Sequence, residues 1–272
     1  MFCSRGHIHF AARRTSRRSL TYSSCHNPAR IWSEASGLLQ AARVYRTVDS
    51  RTILFDLNET LLDMSALDPL FADAFGDKSV RRVWFAQTLQ CAMSATIVGA
   101  YADFATLAQA ALEMTARKRG VHVDEERTRR ILRGLSALPA HGDVREGLQR
   151  LRDAGLRLGI LTNSTLDVAE AQLAHARLRD HFDLLISADE VRRYKPAREV
   201  YALASERLQA PPGDLMLVAA HDWDVAGAMR AGLHAAFVAR HGTALNPLDQ
   251  KPAIVGPDVR AIADAILRLA AA

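Results

Sequence analysis

Asp56 closes the apolar run Ile53-Leu54-Phe55, and a hydroxyl, Thr60, follows four residues on. A carboxylate at the mouth of a buried strand, facing the amides of the next loop, is placed to attack as a nucleophile. By itself it reads equally well as a helix cap, because Asp and Asn are ordinary turn and cap residues. Further polar groups stand at the ends of three more apolar runs: Thr162, Asn163 and Ser164; Lys195; and His221, Asp222 and Asp224. A carboxylate nucleophile needs such company. A cation keeps it ionised, hydroxyl and amide donors bind the reacting group, and a second carboxylate activates water. Four loops offering these groups in this order favour chemistry over coincidence.

The elements that carry these residues read as a parallel sheet. Apolar runs at 52–56, 157–162, 183–187, 215–220 and 235–239 have the length of buried strands. Between them, 143–154, 166–177, 197–208 and 224–231 place apolar residues three and four apart, as helices do. Gly155, Gly232 and Pro211-Pro212-Gly213 punctuate helix ends. Strand, helix, strand in repetition predicts an α/β protein with a Rossmann-like parallel sheet, its strand ends converging on one crevice. After the first strand, residues 65–140 show helical patterning alone, as at 104–117 and 125–135. An insertion of that size reads as a helical cap, a device that excludes water and selects substrate. The organisation expected is a basic leader at 1–50, a core at 51–64 and 141–272, and a cap at 65–140. Residues 257–272 read as a surface helix with Val259, Ile262, Ala263, Ile266 and Leu267 on its apolar face.

Composition narrows the class of partner. The chain has 272 residues, 49% of them apolar, enough for a large buried core. Its net charge of +5 sits in the leader, where eight arginines face only Glu34 and Asp49; the other 222 residues hold 27 basic and 28 acidic side chains. A nearly neutral body gives no reason to expect nucleic acid as a partner. The leader is Arg- and Ser-rich and lacks the continuous apolar stretch of a secretory signal. It reads as a disordered extension, ahead of upstream sequence included by an early start codon or an organelle transit peptide; residues 36–45 suggest a turn or two of helix. Cys3, Cys25 and Cys91 show neither metal-site spacing nor a disulfide framework, which suits a reducing, cytoplasmic compartment. Cys91 reads as a small buried hydrophobe. Residues 83–102 carry no formal charge, but Gln87, Gln90, Ser94, Thr96 and Gly99 dilute them, so a buried helix facing another domain is expected and not a membrane span.

With these residues in hand, the chain resembles the haloacid dehalogenase superfamily from residue 51 to 270. The matching motifs are Phe55-Asp56 with Thr60, Leu161-Thr162-Asn163, Lys195-Pro196, and Trp223-Asp224-Val225-Ala226-Gly227-Ala228. Within it the chain looks most like the type II L-2-haloacid dehalogenases, through Tyr201 after Lys195 and through Trp84 and 101–104 in the cap. The resemblance implies that Asp56 displaces halide to form an aspartyl ester, which water then hydrolyses. It further implies that Thr60 and Thr162 position the carboxylates, Lys195 keeps Asp56 ionised, Asp224 orients or activates the water, and Asn163 donates to the substrate. No cofactor is implied, the partner is a small molecule, and members often pair as homodimers. Thr162, Asn163 and Tyr201 remain readable as turn or core residues.

Departures from the pattern fall at informative places. Phosphatases of the superfamily carry a second Asp two residues after the nucleophile and another that holds magnesium; here those places are Asn58 and Ala219. Asn supplies no proton and Ala binds no hard cation, so a magnesium-dependent phosphatase is the alternative, with Asp222 its only rescue. The dehalogenases usually have Tyr where Asn58 stands, Ser at Ala219, Asn at His221, and at Phe85 an Arg that grips the substrate carboxylate. Loss of that guanidinium leaves Arg81 or Arg82 as substitutes, or a larger, less charged substrate. Asn58, Phe85 and His221 are therefore candidate substrate contacts, and His221, titrating near ~6.5, is a candidate water-activating base. The same departures admit a catalytically silent binding module.

Overall fold

The structure is a computed structural model and describes residues 52–270. The leader and the helical turn expected at 36–45 lie outside the described residues.

Six strands form one parallel sheet: β1 (Thr52–Phe55), β2 (Arg157–Thr162), β3 (Leu184–Ser187), β4 (Leu215–Ala219), β5 (His234–Val238) and β6 (Ile254–Gly256), in the order β3-β2-β1-β4-β5-β6. The order reverses at β1, which pairs with β2 on one side and β4 on the other. Ligands of such sheets bind outside the carboxyl ends of the strands at that switch point. The strands form where the sequence is apolar without alternation, as in Leu-Met-Leu-Val-Ala of β4, every residue of which is buried. That pattern belongs to a sheet covered on both faces. Helices α5 (Val144–Asp153), α6 (Leu166–His175), α7 (Arg198–Leu208), α8 (Asp222–Arg230) and α9 (Val259–Ala270) alternate with the strands, α8 packing on β4 and β5 and α9 on β5, β6 and α5.

Between β1 and α5 the described chain is helical. A 3-10 turn at Met64–Leu67 leads to α1 (Asp68–Phe75), α2 (Val80–Val98), α3 (Phe104–Arg119) and α4 (Glu125–Leu135). Asp103 and Asp124 cap α3 and α4 by accepting the N–H of Thr106 and Arg127, and Gly120 ends α3 at φ 65°. Trp84 joins α2 to α3, its indole N–H donating to the Ala108 carbonyl at 2.8 Å while its ring tilts against Phe71 at 5.0 Å. The insertion leaves and re-enters the core side by side: Asp63 N–H donates to Pro139 and His141 N–H to Leu61, at 2.8 and 2.9 Å.

Two expectations are corrected and one strand is added. β6 is not foreseen from the sequence, because three residues ending in Gly256 show no period. The uncharged stretch 83–102 is helix only to Val98, and its end is not buried: Ile97 and Val98 are 83% and 73% exposed. Cys91 is half-buried. No helix among the described residues is long and apolar enough to cross a membrane.

Candidate active site

Asp56 is the first residue beyond β1, and its N–H still donates to Val218 of β4 at 3.0 Å, so the ladder fixes the side chain at the switch point. The residue is 5% exposed. Thr60 Oγ1 donates to Asp56 Oδ2 at 2.6 Å and accepts the Ala220 N–H at 2.9 Å, tying the first loop to the end of β4. Lys195 Nζ spends its three protons on Asp56 Oδ1 at 2.9 Å, the Leu161 carbonyl at 2.8 Å and Asp224 Oδ2 at 2.6 Å. The opposite oxygen of Asp224 accepts the Tyr201 hydroxyl at 2.7 Å. His221 stands between two carboxylates, Nδ1 at 3.2 Å from Asp56 Oδ2 and Nε2 at 3.0 Å from Glu59 Oε2.

Burial makes these pairings decisive. Burial alone would push the Asp56 carboxyl up, but Lys195 and His221 outweigh it and hold Asp56 below the usual carboxylate range. Burial would lower Lys195; Asp224 and Asp56 reverse that and keep it ammonium. Asp224 is raised, first by burial and then by Asp56. Tyr201 is raised well above 10 by burial and by Asp224, so it remains a donor. His221 is pulled down by burial and up by Asp56 and Glu59, and ends raised to about 10. This lies above the ordinary histidine titration assumed from the sequence. With an acceptor at each nitrogen, the ring is an imidazolium at neutral pH.

The remaining expected residues make no hydrogen bond to Asp56 among the described residues; most of them brace the loops around it. Asn163 Oδ1 accepts the Lys195 N–H at 3.0 Å and so seats the lysine. Thr162 Oγ1 accepts the Ser164 N–H at 3.1 Å, a bond to the loop and not to a carboxylate. Asn58 donates to Ser164 Oγ at 3.3 Å and accepts from Gln172 at 3.0 Å, joining the loops after β1 and β2. Phe85 is buried with its ring 6.2 Å from the His221 ring. Arg81 is no substitute guanidinium: Asp68 at 2.6 Å and Glu59 at 3.5 Å hold it. Arg82 is exposed and, with Arg81, Glu59, His141 and Arg240, lines a cavity of about 390 Å³ beside the first loop. A second, apolar cavity of about 50 Å³ lies between Asn58, Ser164 and Gln172 on one side and Phe104, Leu132 and Leu135 on the other.

Sequence reasoning missed three groups. Glu59 was passed over as a turn residue, yet it anchors His221 and Arg81 from a backbone at φ 63°. Gln172, on the buried face of α6, gave only a helical period; its Oε1 is buried without a partner among the described residues. Arg240, beyond β5, donates to the Thr60 carbonyl at 2.8 Å and to Asp143 at 2.6 Å, while Asp143 accepts the Val259 N–H at 2.7 Å. No local sequence signal marks such a long-range clip.

The residues do not fit the magnesium of the superfamily's phosphatases. Lys195, Thr60 and His221 already engage both oxygens of Asp56, and Ala219 offers no ligand.

A buried carboxylate paired with a lysine at the switch point of a parallel sheet is the arrangement that the haloacid dehalogenase resemblance implies. The model of the haloacid dehalogenase-like hydrolase family matches residues 50–232, so the chain belongs to that family. An (S)-2-haloacid dehalogenase of Pseudomonas fluorescens is 29% identical over 73% of this chain and 88% of its own. Haloacetate dehalogenase H-2 of Moraxella sp. (strain B) is 29% identical over 80% of this chain and 97% of its own. Among solved structures, the L-2-haloacid dehalogenase of Xanthobacter autotrophicus with chloropropionic acid covalently bound superposes with a TM-score of 0.74, at 26% identity over 80% of this chain and 98% of its own.

Proposed function

We propose that the protein is a metal-independent hydrolase that removes halogen from a 2-haloacid or related small halogenated compound through an ester on Asp56. The observation that carries the reading is the nearly dry carboxylate of Asp56 set between Lys195 and His221. Lys195 holds Oδ1 and His221 holds Oδ2, which is the state a nucleophile needs. Oδ1 accepts one hydrogen bond among the described residues and Oδ2 accepts two, so Oδ1 keeps the freer lone pair and attacks the carbon bearing the halogen. Asp224 and Tyr201 clamp Lys195, Thr60 fixes the carboxylate plane, and Asn163 seats the lysine loop. Residues 65–140 act as the cap on a core of 51–64 and 141–272, and the apolar cavity against Phe104 takes a short alkyl group. The relatives' activities, and the covalent adduct in one of their structures, support the same chemistry.

Dehalogenation is favoured over phosphoryl transfer because Asn58 braces two loops and has no proton to give a leaving alkoxide. The test is halide release from L-2-chloropropionate and haloacetate in the presence of chelator, with Asp56→Asn as the control. Release by the wild type alone supports the reading; no release by either across a panel of haloacids sinks it. Phosphate release that chelator abolishes would point to the phosphatase instead.

A further inference from the structure

We propose that Glu59 and His221 form a base that the reaction itself switches on: once Asp56 is esterified, His221 takes a proton from the water that hydrolyses the ester, with Glu59 holding the imidazole. The proposal rests on the aspartyl-ester reading above.

Geometry singles out this pair. Nδ1 of His221 faces the Asp56 carboxylate and Nε2 faces Glu59, so one nitrogen is anchored and the other points at the reacting group. Trp223 stacks on the imidazole at 4.9 Å and Phe85 closes a second side, which fixes the ring plane. Glu59 holds a left-handed backbone, φ 63°, that disfavours any residue with a Cβ. Such strain persists where the surroundings over-determine it, and it clusters at working sites. Here His221 and Arg81 grip the Glu59 carboxylate and His141 meets its carbonyl at 3.2 Å. The other carboxylate of the site, Asp224, is wholly buried, with one oxygen on Lys195 and the other on Tyr201, whereas Glu59 is part-exposed.

The chemistry follows from charge. In the resting site the imidazolium donates to Asp56 and cannot accept a proton. Asp56 Oδ1 then bonds to the substrate carbon, the carbon–halogen bond breaks, and halide leaves with its electron pair. The carboxylate has become a neutral ester, and the attraction that held the second proton on His221 is gone. Burial and the N-terminus of α8 both disfavour the imidazolium, so that proton passes to solvent; it is the proton of the hydrogen halide formed overall. Nδ1, now an acceptor, takes a proton as the water oxygen bonds to Asp56 Cγ. The Cγ–Oδ1 bond breaks, the departing alkoxide takes the proton of the newly added hydroxyl, and carboxylate and imidazolium are restored. The charged groups around the ring are Asp56 and Glu59 in the first loop, Arg81 of α2 on Glu59, Lys195 on the far oxygen of Asp56, His141 on the Glu59 carbonyl, Arg240 on the Thr60 carbonyl, and the adjacent Asp222. Of these neighbours, only Asp56 changes charge during the cycle.

Rapid-quench halide release and intact mass, with L-2-chloropropionate or the haloacid the wild type turns over fastest, test the pair. His221→Gln is expected to release about one halide per site and then slow about 10²-fold, the loss typical of a missing general base, with the ester mass persisting on the Asp56 peptide. Glu59→Gln is expected to slow hydrolysis less and to move its pH profile to lower pH, a displacement that a purely structural role would not produce. Steady turnover by His221→Gln with the wild-type ester lifetime, or loss of burst and hydrolysis together in both variants, overturns the proposal while leaving the ester reading intact. No halide from the wild type with any haloacid removes both. If His221→Gln fails to fold, as melting would show, the Glu59→Gln profile decides alone.

Discussion

Lys195 Nζ lies 2.9 Å from Asp56 Oδ1 across 139 residues of chain, and both partners are almost wholly removed from water. Charges buried this way gain little stability as a pair, but removing one of them leaves the other uncompensated. Lys195→Met should leave Asp56 with His221 as its one cation and Asp224 with none, so that Asp224 takes up a proton. Urea unfolding should show a loss of about 3–5 kcal/mol. Halide release should fall at least about 10²-fold, as for removal of a preorganised donor.

Gly227 tests the far side of the same network. A Cβ there would come within 2.5 Å of the Tyr201 hydroxyl and 2.6 Å of Pro196. Gly227→Ala should therefore push Tyr201 off Asp224 without changing any group that reacts. Overpacking of this kind costs typically about 1–3 kcal/mol, read by thermal melting. Activity should drop about tenfold through the misplaced Lys195, and a fully active variant would show that the Tyr201 bond is dispensable.

Phe85 occupies the place where the resemblance calls for a guanidinium. Restoring it is expected to harm the protein, because Phe85→Arg puts a second cation beside a ring 6.2 Å away that is already an imidazolium. A lower melting temperature and no improvement in KM for small haloacids are the outcomes expected. A lowered KM at unchanged stability would mean that His221 is neutral in the resting site.

Stability should also record the charge on His221. Its folded pKa, about 10, lies above the ordinary value, so its contribution is whole below about 6.5 and is lost as pH rises towards about 10. Asp56 behaves oppositely: its pKa is depressed, so its contribution is present above about 4 and lost on further acidification. The difference in unfolding free energy between wild type and His221→Gln should be widest between about pH 5 and 6.5 and should close by about pH 10. A gap that does not vary over that range would refute a charged His221.

The sequence carried the sheet because its strands are apolar runs ending in polar groups, and those ends are where Asp56, Thr162 and His221 stand. Lys195 and Asp224 were legible for the same reason. What stayed hidden depends on geometry that no period encodes. Glu59 acts through a left-handed backbone and a partner 162 residues away, and both are properties of the folded loop. His221 was read with its ordinary titration because the two carboxylates around it come from another part of the chain. β6 is three residues long and pairs only with β5, so it had no pattern to announce it.

The clip made by Arg240 lies beyond the end of the family match. The family match stops at residue 232, and a chain cut there would retain every reacting group, from Asp56 to Asp224. It would lose β5, β6, α9 and the guanidinium that fastens the Thr60 carbonyl to Asp143, and through Asp143 to the start of the last helix. The loop that carries Asp56 is thus tethered from the far end of the polypeptide, beyond the stretch that the family model matches.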